Sequence, residues 1–325
     1  MLKRRMVCGL LLAAAPLLAP AQQAAFPGKP LRIVVGFPAG GGADVVARDV
    51  AAKMGDALGQ SVVVENRAGA GGNIAAQFVA QSPADGYTLY LATASNVVNT
   101  AAAALGTMKL GYDLQKDLVP VVQLVRNQNV IVANPSLPVS DVQELIRLAR
   151  SKPGALNFGV MSPTSQLAGE LFRQTAKVEI TDVPYKGAAP VITDLIGGQV
   201  ELGILDVAVV LPHIQSGKLK ALGVTSTARF EGLPRVPTVA ESGLPGFEAG
   251  GWLGLMAPAG TPPQAIAAIQ SAASKALADN EVKAKLARLG VTPAAGSPEQ
   301  FGAYMRAEVT KWQRVMRDGR INLGN

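Results

Sequence analysis

Reactive side chains are scarce here: 325 residues contain one cysteine and one histidine, with 5% aromatic and 16% charged residues. Each shortage removes a class of function. Cys8 lies inside an N-terminal apolar segment, too early for lipid modification, so loss of that segment would leave no thiol for disulfides, nucleophilic catalysis or metal binding. His213 stands beside Pro212 with no acidic or histidine neighbour and reads as a surface residue without a ligand role. No G-x-S-x-G, metal-spaced cluster or histidine dyad is present, so the inventory of an enzyme site is missing. Lys3, Arg4 and Arg5 supply three of the formal +7 charges, and the remaining cations are scattered singly. That distribution argues against nucleic-acid binding. After Leu18 no stretch is apolar for the roughly 20 residues that a membrane span needs.

What is present begins with a leader. Three cations, the apolar segment Met6 to Leu18 and Ala19-Pro20-Ala21 form the pattern of a secretory signal peptide over 1–21, so the chain is expected to be exported as a soluble protein. The roughly 300 residues that follow predict two lobes of about 150 each.

The chain is organised around Leu31 to Gly59. An unalternating Ile/Val run to Phe37 predicts a strand covered on both faces of a parallel sheet, and Val46, Val50, Met54 and Leu58 recur at helical spacing. Between them lies Phe37-Pro38-Ala39-Gly40-Gly41-Gly42, whose glycines let backbone N–H groups approach a ligand at the positive end of the helix. The alternative is a tight turn with Asp44 merely favouring the dipole. A dinucleotide fingerprint fits poorly, since it needs glycine at Val45.

Further units follow. Ser61 to Glu65 predicts a strand, a second glycine loop (Asn66 to Gly72) precedes a helix from Asn73, and a strand from Thr88 ends in the polar tip Thr93, Ser95 and Asn96. Ligands gather outside the carboxyl ends of parallel strands, so this tip is a candidate site as well as an ordinary turn. Arg126 to Asn129 interrupts an extended apolar passage and marks a crossing between lobes. Ser140 to Gln143 has the capping-box pattern. Leu156 to Val160, Met161-Ser162-Pro163-Thr164-Ser165 and a helix from near Gln166 repeat the opening logic with hydroxyls in place of glycines. Those hydroxyls can cap the helix or share its N–H groups with a carboxylate. Asp206 caps a later helix, the stretch through Leu244-Pro-Gly246 is an irregular return, and Trp252 to Ala257 is a strand. Ser297 opens a final helix whose Phe301, Met305, Val309, Trp312 and Met316 are expected to be core.

FPAGGGADVVAR, ENRAGAGGNIAA, DGYTLYLAT, VPYKGAAPVITDLIGGQV, LPHIQSGKLKALGVTS, VPTVAESGLPGF and WLGLMAPAGTP together resemble the tripartite tricarboxylate transporter substrate-binding family, the Bug receptors, over nearly the whole mature chain. The resemblance implies an α/β, two-lobed periplasmic binding protein of type II-like architecture, each lobe a mostly parallel sheet flanked by helices with the ligand cleft between. Lobe 1 is expected over 22–126 plus 226–325 and lobe 2 over 127–225. It implies a periplasmic, monomeric receptor without cofactor or metal, closing on a small organic carboxylate and delivering it to a permease of one large and one small subunit. The loops Phe37 to Gly42 and Met161 to Gln166 would hold one carboxylate, largely through backbone N–H groups and bridging water. Thr93 to Asn96, Tyr185-Lys186-Gly187 and Asp206 would lie around the distal part of the ligand. A receptor feeding a sensor kinase would share this fold and site, and an enzyme acting on an anion is a weaker alternative.

Two departures from the family pattern bear on specificity. The second loop lacks the usual histidine before Leu-Ala-Gly-Glu, and Leu205 stands where many relatives have a polar residue. With Met161, these residues predict a less polar ligand tail, from an aromatic or medium-chain acid.

Overall fold

The computed structural model describes residues 26–323, so the expected leader over 1–21 lies outside the described residues. β1 (Leu31–Val35) leads through the glycine loop into α1 (Gly42–Leu58), whose Val46, Val50 and Met54 are buried. Gly59 ends α1 at φ 65°, a left-handed conformation that carries no penalty without a Cβ. β2 (Val62–Asn66), α2 (Asn73–Ala80), β3 (Thr88–Thr93) and α3 (Ala94–Ala104) form the next two strand–helix units. β4 (Leu118–Asn127) then runs almost directly into β5 (Asn129–Ala133), and Gln128 alone separates a strand of one sheet from a strand of the other.

The second sheet is built with α4 (Val142–Ser151), β6 (Asn157–Val160), α5 (Pro163–Ala176), β7 (Thr181–Pro184), α6 (Ala188–Gly197), β8 (Leu202–Asp206), α7 (Val207–Gln215) and β9 (Lys220–Val224). The cap of α4 is Asp141 rather than Ser140: its carboxylate accepts the Glu144 N–H at 2.8 Å, while Glu144 reaches back to the Ser140 N–H at 2.8 Å. α5 starts three residues before Gln166, because Ser162 caps it and Pro163 suits the first turn. The chain returns to the first sheet with β10 (Trp252–Pro258), followed by α8 (Pro263–Ala278), α9 (Asn280–Arg288), β11 (Val291–Pro293) and α10 (Pro298–Asp318).

The six-stranded sheet has the order β11-β4-β10-β3-β1-β2 and the five-stranded one β7-β6-β8-β5-β9. Both are mixed, and in each the greater part of the strands runs in one direction, as expected. The strand–helix units make β2, β1 and β3, and likewise β7, β6 and β8, parallel. β5 and β10 instead arrive from the other lobe without a crossover helix. They enter where the parallel strands finish, Asn129 opposite Asp206 and Leu253 opposite Thr93, and so run antiparallel. Those entry points put the carboxyl ends of β3 and β8 beside the two linking segments.

α10 packs on α3, β4 and α5, so the C-terminal helix touches both lobes, and Gln174 Nε2 donates to the Val315 carbonyl at 3.0 Å. Phe301, Met305, Val309, Trp312 and Met316 are buried as the helical spacing predicts.

Candidate functional site

A cavity of about 500 Å³ lies between the lobes. The starts of four helices border it: Gly41 to Ala43 of α1, Thr93 to Ser95 of α3, Ser162, Thr164 and Ser165 of α5, and Asp206 ahead of α7. Two come from each sheet. A helix start favours an anion where its N–H groups stay free and no acidic side chain stands in front of it.

The four starts differ in what they leave free. α1 begins at Gly41 with no side-chain cap, so its first-turn N–H groups have no side-chain acceptor. Its shape is fixed from behind by Asp44, which is buried and takes no place in the cavity wall. One carboxylate oxygen accepts the Gly40 N–H and Arg48 Nε, both at 2.9 Å, and the other accepts Asn66 Nδ2 at 2.8 Å. Hydrogen bonding to Arg48, reinforced by Gly40 and Asn66, lowers the Asp44 pKa to about 2. Asn66 Nδ2 also lies 3.1 Å from the Phe37 carbonyl. The second glycine loop thus buttresses the first, and a Cβ on Gly36 would overlap the backbone of Gly72.

At α5 most of the backbone donors are taken. Ser165 Oγ accepts the N–H groups of Met161 at 2.9 Å and Ser162 at 3.0 Å, Ser162 Oγ accepts Ser165 N–H at 3.2 Å, and Gln166 N–H goes to the Ser162 carbonyl. What this loop offers a ligand is hydroxyls, with Ser162 Oγ and Thr164 Oγ1 2.9 Å apart. This differs from the expectation of a backbone cradle in both loops, because serine capping satisfies those N–H groups first.

Ten of the expected site residues come together in the wall: Phe37, Pro38, Gly41, Thr93, Ser95, Met161, Ser162, Thr164, Ser165 and Asp206. Ala39 and Gly40 lie in the first loop and Gln166 in the first turn of α5, all three outside the wall. Asn96 is fully buried beneath the start of α3, its Oδ1 accepting the Thr93 N–H and lying 2.9 Å from Tyr90 Oη. Tyr185, Lys186 and Gly187 are also outside the wall. Tyr185 Oη donates to Asp194 at 2.7 Å, and burial with this partner raises its pKa to about 12. Lys186 is exposed, and Gly187 opens α6 at φ 107°.

Leu205 does not contribute the apolar character expected of it. Side chains alternate along β8, so Ile204 and Asp206 face the cavity while Leu205 packs into a core with Val130 and Val224. The apolar wall comes from elsewhere: Val98, Ile204, Leu253, Val291 and both tryptophans of the chain, Trp252 and Trp312. The Trp312 indole is fixed by donation to Glu308 at 3.0 Å, and burial holds that carboxyl above its ordinary pKa. Sequence reasoning missed Trp252, Trp312, Asn127 and Asn129 as wall residues. The polar interruption Arg126 to Asn129 was their one visible signal, whereas Trp312 keeps a helical core spacing.

A cavity between two α/β lobes, ringed by helix N-termini and reached by linking strands, defines the class of two-lobed solute-binding receptors. Residues 46–322 match the model of the tripartite tricarboxylate transporter family receptor, and the chain belongs to that family. It is similar to Protein BugT of Bordetella pertussis, 39% identical over 96% of each chain. Among solved structures it resembles an R. palustris protein with adipate, at 37% identity and TM-score 0.70 over 90% of this chain and 97% of that one. It also resembles MatC of Rhodopseudomonas palustris with bound malate, at 33% identity and TM-score 0.68 over 89% and 99%.

Proposed function

We propose that this chain is a periplasmic receptor that captures a small organic carboxylate between its lobes and delivers it to a membrane permease of one large and one small subunit. The observation that carries the reading is the start of α1, opened by Gly41 without a side-chain cap and facing the cavity opposite the hydroxyls of Ser162 and Thr164. The carboxylate sits against α1, Thr93 and Ser95 on one lobe and against those hydroxyls on the other. Contacts to both lobes supply the differential affinity that drives closure of lobe 1 (22–126 plus 226–325) on lobe 2 (127–225). The tail, aromatic or medium-chain, lies along Met161, Ile204, Trp252 and Trp312, which offer no partner to a buried polar group beyond the Trp252 indole N–H. The receptor works as a monomer without a cofactor. Relatives solved with adipate and malate support the carboxylate class.

A thermal-shift panel of mono-, di- and tricarboxylates, aromatic acids, nucleotides and sugars tests this. Ligand at about 100 times its Kd should add about 2.7 kcal/mol and raise Tm by a few degrees. Shifts with carboxylates support the reading, and silence from every acid beside a shift with a nucleotide or sugar overturns it.

A further inference from the structure

The wall carries one ionisable side chain among its described residues, and it is an acid. Asp206 lines the cavity with no lysine or arginine beside it in the wall. Its Oδ1 accepts the Ala208 N–H at 2.9 Å and its Oδ2 accepts Asn127 Nδ2 at 3.4 Å. That second bond fixes the orientation of the Asn127 amide: with Nδ2 toward a carboxylate, Oδ1 is left as an acceptor, and it is buried without a hydrogen-bond partner. Asn127 also lines the cavity, and Asp206 pairs in register with Asn129 across the neighbouring strand. The cavity is therefore bipolar. Donors of α1 face it from one lobe, and the Asp206 carboxylate stands where the linking strand meets the other.

Resting on the carboxylate reading, we infer that Asp206, held by Asn127, selects a ligand whose far end donates hydrogen bonds, a hydroxyl or ammonium group, and rejects a second carboxylate. A ligand hydroxyl or ammonium would donate to the Asp206 carboxylate, which Asn127 Nδ2 holds in place. A second carboxylate would be desolvated beside Asp206 with no cation to pair with, which is the costliest arrangement for buried like charges. Burial already holds the Asp206 carboxyl above its ordinary pKa, so a further nearby anion adds to an existing strain on its charge.

Two matched series test this by titration calorimetry at neutral pH: 6-hydroxyhexanoate, 6-aminohexanoate and adipate, and 4-(hydroxymethyl)benzoate with terephthalate. Within each series the far group alone changes. The hydroxyl or ammonium acid is expected to bind at least tenfold more tightly than the dicarboxylate in whichever series binds. Asp206→Asn keeps a side chain that caps α7 well and should reduce that ratio to threefold or less by improving dicarboxylate binding. Asp206→Ser, which also caps, replaces it if the Asn variant does not fold. A dicarboxylate bound as tightly as its hydroxyl partner, or a ratio unchanged by removing the Asp206 charge, overturns the inference and leaves the carboxylate reading standing. If none of these acids nor any acid of the thermal-shift panel binds, the carboxylate reading fails and the inference fails with it.

Discussion

Asp44 accepts the Gly40 N–H at 2.9 Å, four residues back across the glycine loop, and so sets the conformation of a segment it does not share with the cavity wall. The loop that faces the ligand is shaped by a carboxylate turned away from it. Asp44→Ala should leave Gly40, Arg48 and Asn66 without their acceptor, cost about 2–3 kcal/mol in urea unfolding and weaken carboxylate binding. A variant with unchanged stability and affinity would show that the loop holds its shape unaided.

The same residue sets an acid limit. Its pKa falls to about 2 in the folded chain from an ordinary 3.8, so its contribution to stability is complete above about pH 4 and is lost as pH falls toward 2. Asp44→Asn should flatten the stability profile in that window, measured by chemical unfolding from pH 5 to pH 2. A profile parallel to that of the parent chain would contradict this.

Two glycine substitutions should part in sign. Gly36→Ala would press a methyl into the backbone of Gly72, which cannot move away as a flexible side chain could, and is expected to cost about 3 kcal/mol or more. Gly197→Ala at the end of α6 meets open space and should be neutral or stabilise by up to about 1 kcal/mol. Equal effects in thermal unfolding would refute the buttress assigned to the second glycine loop.

Because both tryptophans line the cavity, ligand capture should change intrinsic emission, and Trp252→Phe and Trp312→Phe should each remove part of the signal. Titrations in which neither variant alters the change would place the ligand away from this wall.

Much of this was legible because local chemistry and tertiary role coincide. The Val46, Val50, Met54 stripe and the Ser297 capping box specify helices that exist, and the helix starts that ring the cavity follow strands, as ligand loops in α/β folds do. Other features were not legible because they depend on partners distant in sequence. The antiparallel entry of β10 is set by where the return segment docks, α9 follows α8 with Asp279 alone between them, the three-residue β11 is too short to announce itself, and Asn96 reads as a turn residue until Tyr90 and Tyr112 are seen around it. Leu205 is expected at the ligand only because relatives have a polar residue at its position, and strand alternation turns it the other way.

The central claim is that α1 reads a carboxylate through uncapped N–H groups. The direct measurement is a calorimetric comparison of the best-binding acid with its primary amide, which keeps size and shape but removes the charge. Two or more charge-assisted hydrogen bonds lost predict at least about a 100-fold weaker amide. An amide that binds as tightly as the acid would contradict the account.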